Sequence, residues 1–370
     1  MTLGKIETAT LYLEKTRGIH IASFLIAFAL MIIACIYVRP AIDVVALGRG
    51  YAALSQEPFG NTPSSLGFRI LTPAISYILG LRGKLIIITN LLFALTFLAV
   101  TYRYFRKNLT QLNDALFATA VFAFSLVTLT TIYYGGYCDS LTYLIVLLMW
   151  MFRSNLLLCS VLFLLGLLNR ESIVFLLPWF VFLQASESTE RIKVIIRSVF
   201  LYSLSLGIYF AFRMWIASFR EVEFSTDYYF SPFSENFLSI FKKSYGFHLI
   251  GIFSVFKAFW IMVLIALQSF WKKHQFNQII SIALLLFLVW LQVFFAWDTS
   301  RLMTLAFPVM FISLLHVFEN NTLGFRSWCW PVLILNFMVP QLYTAEQILE
   351  YMNSTIGKLL DWLWTGQAQW

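Results

Sequence analysis

The chain has 370 residues, of which 60% are hydrophobic and only 12% charged. Soluble domains carry about twice that charged fraction. Disorder is also excluded, because a chain this apolar has a large hydrophobic surface that must be buried away from water. The mean hydropathy of +0.79 and the 18% aromatic content are typical of side chains that face lipid. Composition therefore predicts an all-α polytopic membrane protein, with residues 1–370 forming a single integral membrane domain.

The net charge of +8 at pH 7 comes from basic residues scattered in short groups between apolar runs. This distribution follows the positive-inside rule, and no aromatic-plus-basic RNA-binding motif accompanies it. We therefore expect membrane lipids, and no nucleic acid, as partners. The four cysteines lie singly, without metal-ligand spacing, and are expected to pack as small hydrophobes. Since the histidines are equally dispersed, we expect no metal site and no cofactor.

Eleven apolar runs approach the length of about 20 residues that a membrane crossing needs. The first follows a polar start, is longer than a signal-peptide core and has no small-residue cleavage site after it, so we expect a retained signal-anchor. The fourth and fifth runs are too short to cross without tilting and are expected to form a hairpin. In chain order the runs are 21–38, 85–104, 114–134, 141–152, 155–168, 172–185, 198–217, 247–268, 278–296, 302–318 and 328–344.

Lysines and arginines in the short loops predict the orientation. Clusters beginning at Arg103, Arg191 and Lys272 fall on the same side as the N-terminus if 141–168 is a hairpin. We expect the protein to lie in the cell membrane, with that side and the N-terminus in the cytoplasm. If 141–168 is instead one long span, the later charged groups turn inward.

Two outer segments and the C-terminal tail are long enough to carry structure of their own. In the first outer loop, 39–84, we expect Ala41–Leu54 to form an interfacial helix and Leu66–Leu81 to form either a second one or a re-entrant segment. The second outer loop, 218–247, interleaves acidic and aromatic residues. The tail, 345–370, has apolar residues at helical spacing and is expected to form an interfacial helix.

Ionisable residues at the outer ends of spans are the main functional signal, because charges at the bilayer are costly and commonly functional. With the hairpin in place, five sequence-distant groups converge on the outer face. Each also has a structural interpretation: a helix cap for Asp139, a local ion pair for Asp298 with Arg301, or a side chain that snorkels to headgroups for Arg69. The groups are Asp43, Arg69, Asp139, the pair Arg170–Glu171 and the pair Asp298–Arg301.

These residues resemble those of the GT-C-fold glycosyltransferases, multi-span enzymes that use polyprenyl-phosphate-linked sugars. Asp43 in the first outer loop matches the position of that family's usual catalytic aspartate, and Phe68–Pro73 is similar to the Arg-x-x-x-Pro stretch of bacterial members. Asn169–Ser172 looks like their Arg-Glu-Ser/Thr motif, and Asp298–Arg301 like their Asp-x-x-Arg. The chain departs from many members in having no second acid beside Asp43, and it lacks the large soluble C-terminal domain of oligosaccharyltransferases.

The resemblance implies an inverting, metal-independent sugar transfer on the outer face, in glycan biosynthesis at the cell envelope. The partners would be a polyprenyl-phosphate-sugar donor and a glycan, lipid or protein acceptor. Asp43 would be the catalytic base, with a pKa raised by a partly desolvated loop, and Arg301 would stabilise the lipid-phosphate leaving group. The other substrate-binding candidates are Arg69, Asp139, Arg170, Glu171 and Asp298.

Two other classes of protein share part of this pattern. A lipid-linked polysaccharide polymerase or ligase would also have outward arginines, but we would expect a larger late outer loop that is richer in Arg and His. A transporter or flippase predicts charges buried mid-span and paired halves, whereas only Arg213 and Lys257 lie well inside predicted spans.

Overall fold

A computed structural model of the protein describes residues 3–60, 65–220, 245–294, 298–320, 322–345 and 348–352. Within these ranges the regular structure is helical apart from one two-stranded hairpin. The helices are α1 Leu3–Tyr37, α2 Leu47–Gln56, α3 Leu71–Ile78, α4 Ile86–Asn108, α5 Leu112–Ala123, α6 Leu126–Tyr133, α7 Asp139–Met151, α8 Leu156–Asn169, α9 Leu177–Ser186, α10 Arg191–Arg220, α11 Tyr245–Phe256, α12 Trp260–Lys272, α13 Phe276–Leu291, α14 Thr299–Met303, α15 Phe307–Glu319 and α16 Cys329–Met338. The strands are β1 Leu342–Ala345 and β2 Ile348–Tyr351.

Six helical segments among the described residues are long and apolar enough to cross a membrane. A seventh arises if α5 and α6, which are bent by 46° at a short break, form one span. These segments confirm the prediction of a polytopic helical membrane protein. They are Gly18–Tyr37, Gly83–Asn108, Arg191–Ser218, His248–Lys272, Phe276–Phe294 and Thr299–Glu319.

The structure does not show the eleven spans that were expected, because several apolar runs form helices too short to cross. The 13 residues of α7 extend about 20 Å at 1.5 Å per residue, against a hydrocarbon core of about 30 Å. The 14-residue α8 and the segment Glu171–Ser186 fall short for the same reason. The run 328–344 is helical only over α16 and then changes to a strand.

The hairpin expected over 141–168 is confirmed, and it is the feature that positions the site. The amide of Asn169, the last residue of α8, donates to the carbonyl oxygen of Cys138 at 2.7 Å and to the hydroxyl of Thr142 at 2.8 Å. The two ends of the segment therefore meet, which a single span would not allow. The turn lies between Met151 and Leu156.

The first outer loop contains the two short helices that the sequence predicts, with narrower bounds. They are α2, over Leu47–Gln56, and α3, over Leu71–Ile78. The buried hydroxyl of Thr72, in α3, donates to the side-chain oxygen of Asn169 at 2.6 Å. This contact joins the loop to the open end of the α7–α8 hairpin.

The prediction of a helix beginning at residue 345 is wrong where the structure describes the chain. Leu342–Ala345 and Ile348–Tyr351 pair as antiparallel strands, in which Leu342 lies opposite Tyr351 and Ala345 lies opposite Ile348. Tertiary contacts override the helical spacing here, because the backbone and hydroxyl of Thr344 bond to Ser300 at 2.8 and 3.0 Å. Residues 353–370 of the expected tail helix, and 221–244 of the second outer loop, lie outside the described residues.

The core is centred on the span that contains α15. That span is 89% buried, whereas the span in α10 is 22% buried and presents most of its surface outward. Aromatic rings fill the centre: Phe311 stacks on Phe105 at 4.8 Å between ring centroids and lies 4.4 Å from Phe122. Since α14 leads directly into this central span, the charged residues at its start rest on the best-packed part of the protein.

Candidate functional site: an ion-pair cluster at one end of the bundle

Asp139 and Arg170 form a buried ion pair at the open end of the α7–α8 hairpin. Nη1 of Arg170 donates to Oδ1 of Asp139 at 2.5 Å, and the two side chains are only 5% and 8% exposed. Asp139 is the first residue of α7, one position after the N-cap residue Cys138. Its carboxylate pairs with two arginines, so its main contacts are ion pairs and not those of a helix cap.

Arg301 brings a third segment of the chain to the same carboxylate. Its Nε lies 3.4 Å from Oδ2 of Asp139 and 3.1 Å from Oδ2 of Asp298, and its guanidinium carbon lies 4.9 Å from the centre of the Tyr137 ring. Asp298 also caps α14, since its Oδ1 accepts from the backbone N–H of Arg301 at 3.2 Å. The expected Asp298–Arg301 ion pair is thus present, but it is part of a larger group.

Arg69 and Glu171 form the second half of the cluster. Nε of Arg69 donates to Oε2 of Glu171 at 2.7 Å, and Nη1 donates to the Tyr51 hydroxyl at 3.1 Å. Burial works against the charge of Arg69, but Glu171 and Tyr51 together raise its pKa well above the usual value. Arg69 therefore stays charged and is held by protein groups, in contrast to the expectation that it snorkels.

Arg213 reaches this second half from α10. Its Nη1 lies 4.0 Å from Oε1 of Glu171, and its guanidinium carbon lies 4.1 Å from the centre of the Phe68 ring. Because Arg170 and Glu171 are consecutive, the two halves are continuous along the chain. The cluster, defined as Arg69, Asp139, Arg170, Glu171, Arg213, Asp298 and Arg301, has four arginines against three carboxylates and a formal charge of +1.

Several buried atoms of the cluster have no hydrogen-bond partner among the described residues. They include Oδ2 of Asp139, Oε1 of Glu171 and Nε of Arg301. Buried polar atoms are almost always hydrogen-bonded, and each exception calls for an explanation such as an ion or a ligand. A polar ligand that enters between these groups would supply the missing bonds.

The β1–β2 hairpin packs against the cluster through tyrosines that sequence reasoning missed. The Tyr343 hydroxyl, on β1, donates to Oδ2 of Asp298, the oxygen that also faces Arg301. The Tyr134 hydroxyl donates to Oε2 of Glu350, on β2, at 2.5 Å. The rings of Tyr134 and Tyr343 lie 4.5 Å apart between centroids. The hairpin thus restrains the carboxylate that orients Arg301.

Asp43 lies outside this ion-pair network. Its side chain is 55% exposed and accepts from the Lys84 ammonium at 2.9 Å and from the Val44 backbone N–H at 2.7 Å. These two hydrogen bonds, first that of Lys84, lower the pKa of Asp43 below its ordinary value. The expectation that a desolvated loop raises this pKa is wrong, because the loop leaves the carboxylate in solvent beside a lysine.

The segment that carries Asp43 nevertheless borders the cluster. The backbone N–H of Val45 donates to the carbonyl oxygen of Gly135 at 3.2 Å, and Gly48 packs so closely that a Cβ there would lie 2.2 Å from that oxygen. Gly136 has a φ of +90°, which favours glycine. This turn leads directly into Tyr137 and Asp139, so Asp43 occupies the solvent-facing margin of the site.

Six of the seven sequence-predicted site residues are therefore joined by ion pairs, and Asp43 lies at their margin. Reasoning from sequence missed Tyr51, Tyr343 and the role of Arg213. A lone arginine inside an apolar run was the available signal for Arg213. The described residues contain no group of three or more His, Cys, Asp and Glu side chains placed to hold a metal ion.

Comparison with protein families, with curated proteins and with solved structures finds no match to the chain. The fold and the hydropathy define the class of protein, a polytopic helical membrane protein with six or seven candidate spans. Any function must therefore be argued from the cluster and its surroundings.

Proposed function

We propose that the protein is a membrane glycosyltransferase that transfers a sugar from a polyprenyl-phosphate-linked donor to an acceptor on the outer face of the membrane. The observation that carries the proposal is the convergence of charged residues from separate segments on one end of the bundle, with arginines in excess over carboxylates. Intramembrane and membrane-adjacent charges are costly to hold and are functional by default.

Arginine is suited to the leaving group of such a transfer. A planar guanidinium binds a phosphate oxygen pair in fixed geometry and stays charged at any physiological pH. Arg301 is the best placed, because its Nε is buried without a hydrogen bond while Asp298 and Asp139 hold its orientation. Arg69 and Arg170 would contact phosphate or sugar hydroxyls, and Asp139, Glu171 and Asp298 would accept hydrogen bonds from the sugar.

Asp43 is proposed as the catalytic base, acting from the margin of the site. Its lowered pKa keeps the carboxylate ionised at neutral pH, and its exposure lets an acceptor hydroxyl approach from solvent. A base must lie within hydrogen-bond reach of the proton that it removes in the substrate complex. The acceptor would therefore bind over the Gly135–Gly136 turn, between Asp43 and Arg301.

The placement of the charges favours an enzyme over a transporter or flippase. Six of the seven cluster residues lie near helix ends, before α3, at the starts of α7 and α14 and just after α8, and Arg213 alone lies inside a helix, α10. Of the two mid-span cations, Arg213 reaches Glu171 in the cluster. Lys257 is buried and donates to the Tyr37 hydroxyl at 2.9 Å and to the Val339 carbonyl oxygen at 3.1 Å, where it joins the ends of α1 and α16.

The test is donor turnover by purified protein supplied with a panel of polyprenyl-phosphate hexoses and pentoses. We expect release of polyprenyl phosphate from one of them, with the sugar passing to the hydroxyl of an added acceptor or, without one, slowly to water. Asp43→Asn should reduce turnover about 10²-fold, the usual scale for loss of a general base, and leave donor binding intact. Glu57→Gln, which removes another acid of the same loop, is the matched control and should be fully active.

Two results would contradict parts of this proposal separately. If folded wild-type protein transports such lipids and cleaves none of them, the proposal that it is an enzyme is wrong. An Asp43→Asn variant as active as wild type would leave the enzyme standing and reject Asp43 as its base.

A further inference from the structure

A cleft of about 990 Å³ lies at the opposite end of the α7–α8 hairpin from the cluster. Its wall includes the hairpin turn at Arg153–Leu157, the loop Glu187–Thr189 and one face of α10. The 14 residues of α8 separate this turn from Arg170 by about 21 Å. The cleft is therefore a separate feature, on the side of the bundle where the basic loops cluster.

The cleft has an excess of positive charge. Nε of Arg153 donates to Glu187 at 2.7 Å, and its Nη1 donates to the Trp150 carbonyl oxygen at 3.0 Å, so this arginine is fixed in the wall. Arg197, on the α10 face of the cleft, is exposed and has no ion pair among the described residues. Two arginines against one carboxylate leave a net charge of +1. This charge would neutralise the single negative charge of one phosphodiester.

An apolar surface continues from the cleft along the bundle. On α10, Arg197 is followed on the same helical face by Phe200 and Leu204, which are 67% and 52% exposed. On the neighbouring α8, Leu157 and Val161 are 65% and 48% exposed. The two helices are tied together beneath this surface, since the Ser160 hydroxyl lies 2.8 Å from that of Ser205.

We propose that this cleft binds the headgroup of an anionic phospholipid, with the acyl chains lying along the exposed faces of α8 and α10. Basic pockets between membrane helices are suited to lipid phosphates, and hydroxyls of Ser154, Ser188 and Thr189 line the cleft where a glycerol headgroup would need hydrogen bonds. A soluble phosphate would satisfy the arginines but not the apolar strip. The combination of charge and exposed hydrocarbon surface selects a lipid.

The experiment measures phosphatidylglycerol retained by the full-length protein after transfer from phosphatidylglycerol–phosphatidylcholine vesicles into detergent, by native mass spectrometry. We expect one retained phosphatidylglycerol molecule and no specific phosphatidylcholine. Arg197→Gln should lower retention about fivefold, the effect of one charge at a membrane surface. Arg191→Gln, in the same basic segment but outside the cleft, should retain lipid as wild type does.

A second pair of variants tests the apolar strip and does not depend on charge. Phe200→Ala should shorten the residence of the bound lipid, whereas Phe210→Ala, an exposed phenylalanine on another face of α10, should not. Equal losses from Arg197→Gln and Arg191→Gln would overturn the proposal, because they would indicate a diffuse surface charge. Displacement of the lipid by millimolar inorganic phosphate would also overturn it and identify a soluble-anion site.

Discussion

Asp139 and Arg170 face each other 2.5 Å apart, although 31 residues and a complete helical hairpin separate them. The pair forms because α7 and α8 turn back on each other, so that the start of α7 meets the end of α8. Asp139 also lies 3.4 Å from Arg301, which belongs to the start of the most buried span. One carboxylate thus connects the hairpin to the centre of the bundle.

This arrangement predicts a strong effect of Arg170→Gln on stability. Removing one partner of a buried ion pair leaves an uncompensated charge and costs about 3–5 kcal/mol, and the remaining contact with Arg301 places the expected loss toward the lower value. Unfolding of the purified protein in mixed micelles measures it. Lys84→Gln, which removes the exposed partner of Asp43, is the control and should leave stability unchanged. Equal stability of the two variants would contradict the buried pair.

The charged cluster could be predicted from the sequence in outline, and the reason is physical. Apolar run length and the basic loops locate span ends, and charges at span ends must find partners. Run lengths favoured a hairpin over 141–168 but left one long span open. With the hairpin, the sequence placed Asp139 and Arg170 on the same face, whereas their direct pairing came only from the structure.

Other parts of the site depend on contacts that the local sequence does not encode. Tyr343 lies on β1, which pairs with β2, and from there its hydroxyl reaches Asp298, whereas the apolar spacing that begins at Ile348 is helical. Lys84 lowers the pKa of Asp43 across 41 residues of a loop whose path is set by α2 and α3. The number of spans was overestimated because hydropathy marks buried helices and membrane-crossing helices alike.

The Asp43–Lys84 pair predicts a shift in the pH dependence of turnover. The pKa of Asp43 is lower in the folded protein than its ordinary value of 3.8, so the interaction is present above that value and is lost as the pH falls through the folded pKa. If Asp43 is the base, the acid limb of the pH–rate profile lies below 3.8. Lys84→Gln should move this limb upward, while an unmoved limb would assign it to another group.

The hairpin contact predicts that Tyr343 positions Arg301 through Asp298. Tyr343→Phe removes one hydrogen bond from the partly buried carboxylate of Asp298, which costs about 1 kcal/mol of stability, and should also weaken donor binding because Asp298 then holds Arg301 less firmly. Tyr351→Phe, on the exposed side of the same hairpin, is the matched control. Stability and donor affinity are measured on both. A loss of stability with unchanged donor affinity would limit Tyr343 to a structural role.

The substitution Arg301→Lys separates binding by Arg301 from a purely structural ion pair. A structural pair would tolerate Arg301→Lys, because an ammonium still pairs with Asp298. A phosphate-binding guanidinium would not, since a point charge cannot reproduce the planar fork. We expect donor affinity to fall about tenfold or more, in line with the 1.5–3 kcal/mol of a hydrogen bond to a charged group. Arg326→Lys is the control, because Arg326 pairs with Asp114 at 3.0 Å outside the cluster.

Charge reversal of the same pair gives a further prediction that only the three-dimensional contacts supply. Asp298→Arg combined with Arg301→Asp keeps a local ion pair but sets a new carboxylate against Asp139, where Arg301 now lies 3.4 Å away. A second carboxylate in the same buried cluster is unfavourable, because like charges repel strongly away from solvent. The reversed protein should therefore be less stable than Arg301→Lys and should bind no donor. Two results together would show that Arg301 is only structural. They are unchanged donor affinity in Arg301→Lys and wild-type stability in the reversed protein.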